Sequence, residues 1–228
     1  MNFADVSLMT TADGSHSLLL NSTGEHYHSQ FGALTESLYV FVKQGLEAKD
    51  YKQNSLDLLE VGFGTGLNAA LAMGWARDKG IALHYTGLEP FPVPEAVFSQ
   101  LNYSGLHPLA ASHAALQQHY SDLLREETLT FSDSSLRLVN KPLLNFNEEK
   151  GFDLVFYDAF SPTTQEDMWT EAAVARIVSL MRPGAILVTY CIRAYIRRSF
   201  MALGCKAEKL PGPPRKREML RISKPLYV

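Results

Sequence analysis

Three acidic residues stand where apolar runs of strand length give out, and these are the positions from which chemistry can be done. Glu89 follows Ala82–Leu88, Asp133 follows Leu129–Phe131 and Asp158 follows Phe152–Tyr157. A fourth acid, Glu60, lies inside the run Leu58-Leu59-Glu60-Val61, which enters Gly62-Phe63-Gly64-Thr65-Gly66-Leu67-Asn68. A glycine turn between a buried strand and a helix lets backbone approach a ligand closely and offers unpaired helix N–H groups. Its spacing is G-x-G-x-G, one residue short of the dinucleotide G-x-G-x-x-G, with Leu67 at the following position. Glu89 lies 23 residues after Gly66, a separation suited to a carboxylate that accepts both hydroxyls of a ribose. Asp158 runs into Ala159-Phe160-Ser161-Pro162 and then Met168-Trp169. A carboxylate there can orient an amine and take its proton, and nearby rings suit a cation. The competing readings are structural: Asp158 and Asp133 as helix caps, Glu89 as a surface charge, Trp169 as core.

The elements that must position these groups follow from periodicity. Apolar strand-length runs (Leu56–Phe63, Ala82–Leu88, Leu129–Phe131, Phe152–Tyr157, Ala185–Cys191) alternate with helical stretches (Leu67–Lys79, Pro94–Asn102, Pro108–Glu127, Glu166–Met181, Ala194–Leu203). That alternation predicts an α/β fold with a doubly wound, mainly parallel sheet. Cys205–Leu210 and Arg217–Ile222 are joined through Pro211-Gly212-Pro213-Pro214, too short a link for a crossover, so they form an antiparallel pair at the sheet edge. Before the sheet, Val6 to Asn21 alternates around Asp13-Gly14, a hairpin signal, and Ala33 to Leu46 has helical spacing. The expected organisation is an N-terminal hairpin-and-helix extension over 1–50 and a catalytic domain over 51–228.

Composition narrows the rest. With 228 residues, 46% hydrophobic and 20% charged, the chain can bury a full core and is neither disordered nor coiled coil. Its longest apolar stretches fall far short of the roughly 20 residues that span a bilayer. No Lys or Arg precedes Lys43, and no apolar segment has a basic flank, so a secretory signal is not expected. Two cysteines, Cys191 and Cys205, make neither a disulfide framework nor a four-thiolate zinc site, which fits a reduced cytoplasm. His26 and His28 share a strand face, but no acid or thiol cluster completes a metal site. Charge is uneven. Ten of the 21 Lys and Arg, and only two of the 24 acids, fall from Arg193 onward, and such a basic region steers a polyanion.

The glycine turn with its preceding acid resembles motif I of the class I S-adenosyl-L-methionine (AdoMet) methyltransferases. Further blocks sharpen this: Tyr27-His28-Ser29 with Gly32-Ala33-Leu34-Thr35-Glu36-Ser37, Asp158-Ala159-Phe160-Ser161-Pro162 with Met168-Trp169, and Leu210-Pro211-Gly212-Pro213-Pro214 with Arg215-Lys216-Arg217-Glu218-Met219-Leu220. Together they resemble the MnmC/MnmD family, over about Asp5 to Ile222. The resemblance implies AdoMet-dependent methylation of the aminomethyl group of 5-aminomethyl-(2-thio)uridine at the tRNA wobble position. It makes Asp158 the catalytic acid. Glu60, Gly62, Phe63, Gly64, Gly66, Asn68, Glu89 and Asp133 become AdoMet contacts. On the substrate side it sets Lys216 and Arg217, with the basic end on the anticodon stem-loop; Glu36, Phe160, Trp169, Tyr190 and Arg197 are further substrate-side candidates, with core packing the competing reading for Tyr190. Many family members carry an FAD-dependent oxidase, for which this chain has no room, so a separate oxidase or modifying complex would supply the aminomethyl group. Where the family often has Gly, this chain has Arg215. The alternatives are a small-molecule amine methyltransferase or aminopropyltransferase on the same scaffold, and a non-catalytic RNA-binding module.

Overall fold

The computed structural model describes residues 5–51, 54–149 and 151–226. Strands β1 (Val6–Thr10) and β2 (His16–Leu20) form the expected hairpin, and β3 (Glu25–His26) extends it to a three-stranded antiparallel sheet. Helix α1 (Ala33–Ser37) continues as a widened π-helical turn over Leu38–Lys43. The main sheet then alternates with helices: β4 (Ser55–Val61), α2 (Leu67–Lys79), β5 (Ala82–Leu88), α3 (Glu95–Phe98), α4 (Ala110–Gln118), α5 (Tyr120–Leu124), β6 (Leu129–Phe131), β7 (Ser134–Val139) and β8 (Phe152–Tyr157). It closes with α6 (Glu171–Leu180), β9 (Met181–Thr189), α7 (Ala194–Ala202), β10 (Lys206–Pro211) and β11 (Glu218–Ser223).

The strand order is β10-β11-β9-β8-β4-β5-β7-β6. Strands β9, β8, β4, β5 and β7 run parallel, while β10–β11, β11–β9 and β6–β7 pair antiparallel. Period-two alternation along β4 sorts the core: Leu56 and Leu58 pack with α2 and α4 on one face, Leu59 and Val61 with α6 on the other. A parallel sheet needs both faces covered, and these two apolar layers do so.

One strand assignment is corrected. Leu129–Phe131 is an antiparallel edge strand, and the third parallel strand is Ser134–Val139. Its polar Ser134, Ser135 and Arg137 mask its two buried leucines in the sequence pattern. The helix expected over 108–127 is broken at His119, and that over 94–102 shrinks to α3. The helix expected from Glu166 starts later: Thr170 caps α6, its Oγ1 accepting from Ala173 N (3.2 Å), after a 3-10 turn at Glu166–Trp169.

The N-terminal sheet is bolted across the sheet's C-terminal edge. His16 N donates to Asn102 Oδ1 (2.9 Å), Asn102 Nδ2 to Gly14 O (2.8 Å) and Tyr103 Oη to His16 O (2.8 Å). At the opposite edge Arg182 staples β4 to β8, its guanidinium reaching Asp57 (2.7 Å) and Asp153 (2.6 Å). Replacing Arg182 with Met leaves the largely buried Asp57 without that charge partner. The expected loss in urea unfolding free energy is about 2 kcal/mol, and a loss below about 0.5 kcal/mol would show that the strand ends hold without the staple.

Candidate active site

The chain reverses sharply at the end of β4 because two strands crowd it. Gly62 N donates to Leu88 O (2.9 Å) on one side, and Asp158 N donates to Val61 O (2.9 Å) on the other. Gly62 has φ 92°, and a Cβ there would lie 2.5 Å from the Asp158 carbonyl oxygen, so no side chain fits. Gly64 faces the Tyr27 ring at 3.1 Å from where a Cβ would stand. Gly66 caps α2 beneath the rings of Phe63 and Phe98, and Phe63 in turn covers Gly87. The turn thus faces a cleft of about 500 Å³ with Gly62 and Gly64, while Phe63 and Gly66 lie beneath it and do not line it.

Carboxylates converge on this cleft. Glu89, on its wall, accepts from Gly64 N (3.2 Å) and Phe91 N (3.1 Å), one bond per oxygen, so each oxygen keeps a further acceptor position. Burial raises its pKa to about 7 despite those two bonds. Asp158, also on the wall, is raised to about 7, first by burial and then by nearby Glu36, with Asn68 and Lys216 opposing. Glu60 departs from the expected ligand contact. It is fully buried below the turn, where Oε1 accepts from Asn68 Nδ2 (2.9 Å) and Oε2 from Tyr85 Oη (2.5 Å). Burial pushes its pKa well up. The same Asn68 Nδ2 donates to Asp158 Oδ2 (2.9 Å), so Asn68 acts from underneath, outside the cleft lining. Asp158 caps no helix; Thr170 does that.

Asp133 is corrected outright. It follows Ser132, whose φ of 51° turns the β6–β7 hairpin, and it lines a separate groove with Met73, Arg77 and Ile81. The C-terminal end of the true third strand brings Lys141, Pro142 and Leu143 to the cleft instead.

On the remaining side the cleft is aromatic and cationic. Phe160 meets Tyr27 edge to face (centroids 4.9 Å apart), and Tyr190 Oη donates to Ala159 O (2.8 Å). Lys216 Nζ lies 4.7 Å from the Tyr190 ring and pairs with Glu36, whose other oxygen accepts from Ser29 N (2.8 Å). Trp169 is not a wall. It is buried in the core, donating Nε1–H to Phe160 O (2.7 Å), and thereby fixes the loop. Arg197, within α7, turns its Nε toward Ala207 O of β10 (3.4 Å), and Arg217 is exposed; neither lines the cleft.

Several cleft residues had no assigned role in the sequence: Tyr27, His28, Glu25, Phe91 and Lys141. His28 is held neutral by burial, its pKa lowered to about 4, with Nε2 2.8 Å from Thr65 Oγ1 in the glycine turn. Glu25 accepts from Ser161 N (2.7 Å) and Oγ (2.9 Å) and from Thr164, tying β3 to the loop after Asp158. Among the described residues no three His, Cys, Asp or Glu side chains gather as a metal site. For Glu25, Tyr27 and His28 the local signal was the unusual block from Glu25 to Ser29, while Phe91 and Lys141 carried none.

Sheet order, glycine turn and terminal acids define a class I AdoMet-dependent methyltransferase scaffold. A family model described as S-adenosyl-L-methionine-dependent methyltransferase matches residues 107–225, and the chain belongs to that family. Within it, the chain is an MnmC-type methyltransferase domain. It is 33% identical over 213 residues to the tRNA 5-methylaminomethyl-2-thiouridine biosynthesis bifunctional protein MnmC of Aromatoleum aromaticum, covering 87% of this chain and 32% of that one. The protein of the same name from Marinobacter nauticus is 32% identical over 217 residues, covering 86% and 33%. The chain therefore spans about a third of the length of these curated relatives. The crystal structure of MnmC2 from Aquifex aeolicus matches with a TM-score of 0.79 and 26% identity, covering 98% of this chain and 70% of that chain. The sugar N-methyltransferase KedS8 from Streptoalloteichus shares the fold alone, with a TM-score of 0.50 and 15% identity over 84% of this chain and 87% of that one.

The raised carboxylates tie stability to pH. Asp158 titrates near 4 in the unfolded chain and about 7 in the fold, so the folded state holds an extra proton between those values. That contribution to stability is complete below pH 4 and is lost as pH rises through 7. His28 and His113, lowered to about 4, act in the opposite sense, so the readout is variant minus wild type. Between pH 5 and 8 the ligand-free Asp158→Asn variant should gain about 2 kcal/mol on wild type by denaturant unfolding. A difference that stays constant with pH would mean Asp158 is ionised throughout that range.

Proposed function

We propose that this protein transfers a methyl group from AdoMet to the aminomethyl nitrogen of 5-aminomethyl-(2-thio)uridine at the wobble position of tRNA. AdoMet, the cofactor of the family, supplies an electrophilic methyl on a sulfonium. The residues present suit it. Gly62 and Gly64 let backbone approach its methionyl part, and the open acceptor positions of Glu89 suit the ribose hydroxyls. Phe91, Lys141, Pro142 and Leu143 flank the end beyond Glu89, where the adenine would lie.

One observation carries the reading: a buried carboxylate, Asp158, stands in the cleft wall between the glycine turn and a lysine-capped tyrosine. An aliphatic amine titrates near 10 and must shed a proton before it can attack. Asp158 can orient that nitrogen and accept its proton. Its pKa of about 7 makes it a usable base at neutral pH, and Asn68 fixes the oxygen that does not face the amine. Phe160, Tyr27 and Tyr190 exclude water and favour cationic groups. Lys216, paired with Glu36 over Tyr190, faces the uridine side, and the basic residues from Arg193 onward position tRNA phosphates. The reading places the protein in the cytoplasm with its tRNA. A separate reaction, such as that of an FAD-dependent oxidase, would deliver the aminomethyl group.

Transfer of labelled methyl from AdoMet to tRNA lacking the modification, followed by nucleoside digestion, tests this. Label is expected in 5-methylaminomethyl-uridine. Asp158→Ala should retain AdoMet binding and lose about 10²–10⁴-fold in turnover. Wild-type turnover in the variant would remove Asp158 from the chemistry. AdoMet binding without any labelled tRNA would move the substrate to free amines.

A further inference from the structure

The cleft opens between two lips, residues 29–31 ahead of α1 and the turn 212–217 between β10 and β11. Two consecutive residues of that turn each place a cation on an aromatic ring. Lys216 covers Tyr190 on the inside, while Arg215 sits at the mouth with its guanidinium carbon 4.7 Å from the Phe31 ring centroid. The inner pair is explained by burial and by Glu36. The outer pair is not explained by packing. Phe31 leaves 47% of its surface in water, and Arg215 adopts a φ of 70°, a left-handed conformation that costs an L residue on the order of 1 kcal/mol. An exposed ring beside a guanidinium is a stacking surface for a planar group flanked by negative charge, which describes a nucleobase in a single strand.

We propose that Phe31 and Arg215 form a second base shelf, which stacks the unpaired nucleobase adjacent to the modified uridine. This rests on the tRNA reading above and deepens it: the inner ring faces the target base and the outer pair its neighbour. Arg215 and Lys216 are consecutive in the turn and each lies on a different ring, Phe31 at the mouth and Tyr190 inside, an arrangement suited to two successive nucleotides splayed out of a loop. A paired stem keeps its base faces covered, so the shelf selects loop over helix.

A double-mutant cycle in RNA binding tests the shelf. Dissociation constants are measured for wild type, Phe31→Ala and Phe31→Trp on an anticodon stem-loop RNA, and on the same RNA made abasic at the nucleotide before or after the wobble position. Phe31→Ala should weaken binding of the intact RNA about 10-fold, weaken one abasic RNA less than 2-fold, and be rescued by Trp. An equal loss on all three RNAs would overturn the shelf. The labelled-methyl assay on the same proteins separates the two claims. Coupling without transfer keeps the shelf and removes the methylation reading; transfer without coupling does the reverse; absence of RNA binding by wild type removes both.

Discussion

The side-chain amide of Asn68 is the interaction on which the site depends. Its two N–H groups go to two buried carboxylates, Glu60 on β4 and Asp158 at the end of β8. An isolated carboxylate in an apolar interior is costly, and two of them on adjacent strands would repel. A neutral two-proton donor between them is the least perturbing solution, because it serves both without adding charge. Tyr85 from the next strand completes the arrangement by donating to the far oxygen of Glu60. Three neighbouring strands and the first turn of α2 are thereby locked in register directly under the cleft.

That lock explains the division of labour among residues that look alike in the sequence. Glu60 and Glu89 both belong to strand ends of the same sheet, yet only Glu89 reaches the cleft. Glu60 points down into the layer that α2 covers, and so it shapes the site without touching a ligand. Phe63 and Gly66 act in the same indirect way, filling the space beneath the turn so that Gly62 and Gly64 can hold it open. Catalytic power in such a site comes largely from alignment, and alignment comes from this layer of unreactive contacts.

The N-terminal sheet contributes a wall, not just a cover. Glu25 orders the loop after Asp158, His28 braces Thr65 in the glycine turn, and Tyr27 packs on both Gly64 and Phe160. From the other chain end, Lys216 reaches Glu36 and Arg215 reaches Phe31. The segment ahead of and within α1 and the turn between β10 and β11 therefore meet over the cleft. Of the ten basic residues from Arg193 onward, Arg215 and Lys216 reach the cleft.

What the sequence determined was local and periodic. Alternating apolar runs dictated the parallel sheet, Asp13-Gly14 the hairpin and the proline-rich link the antiparallel last pair, because each depends on residues close together in the chain. Asp158 and Glu89 were legible for the same reason: each directly follows a run of strand length. Asp133 misled because a three-residue apolar run outweighed Ser134–Val139, whose alternation is that of a strand with one polar edge. Only the tertiary structure decided which strand ends share a cleft. It sent Trp169 into the core, Arg197 toward β10 and Glu60 beneath the turn, since a side chain's direction is set by what packs against its element. It also brought Tyr27, Lys216 and Asp158, far apart in sequence, around one space, an arrangement that no local pattern encodes.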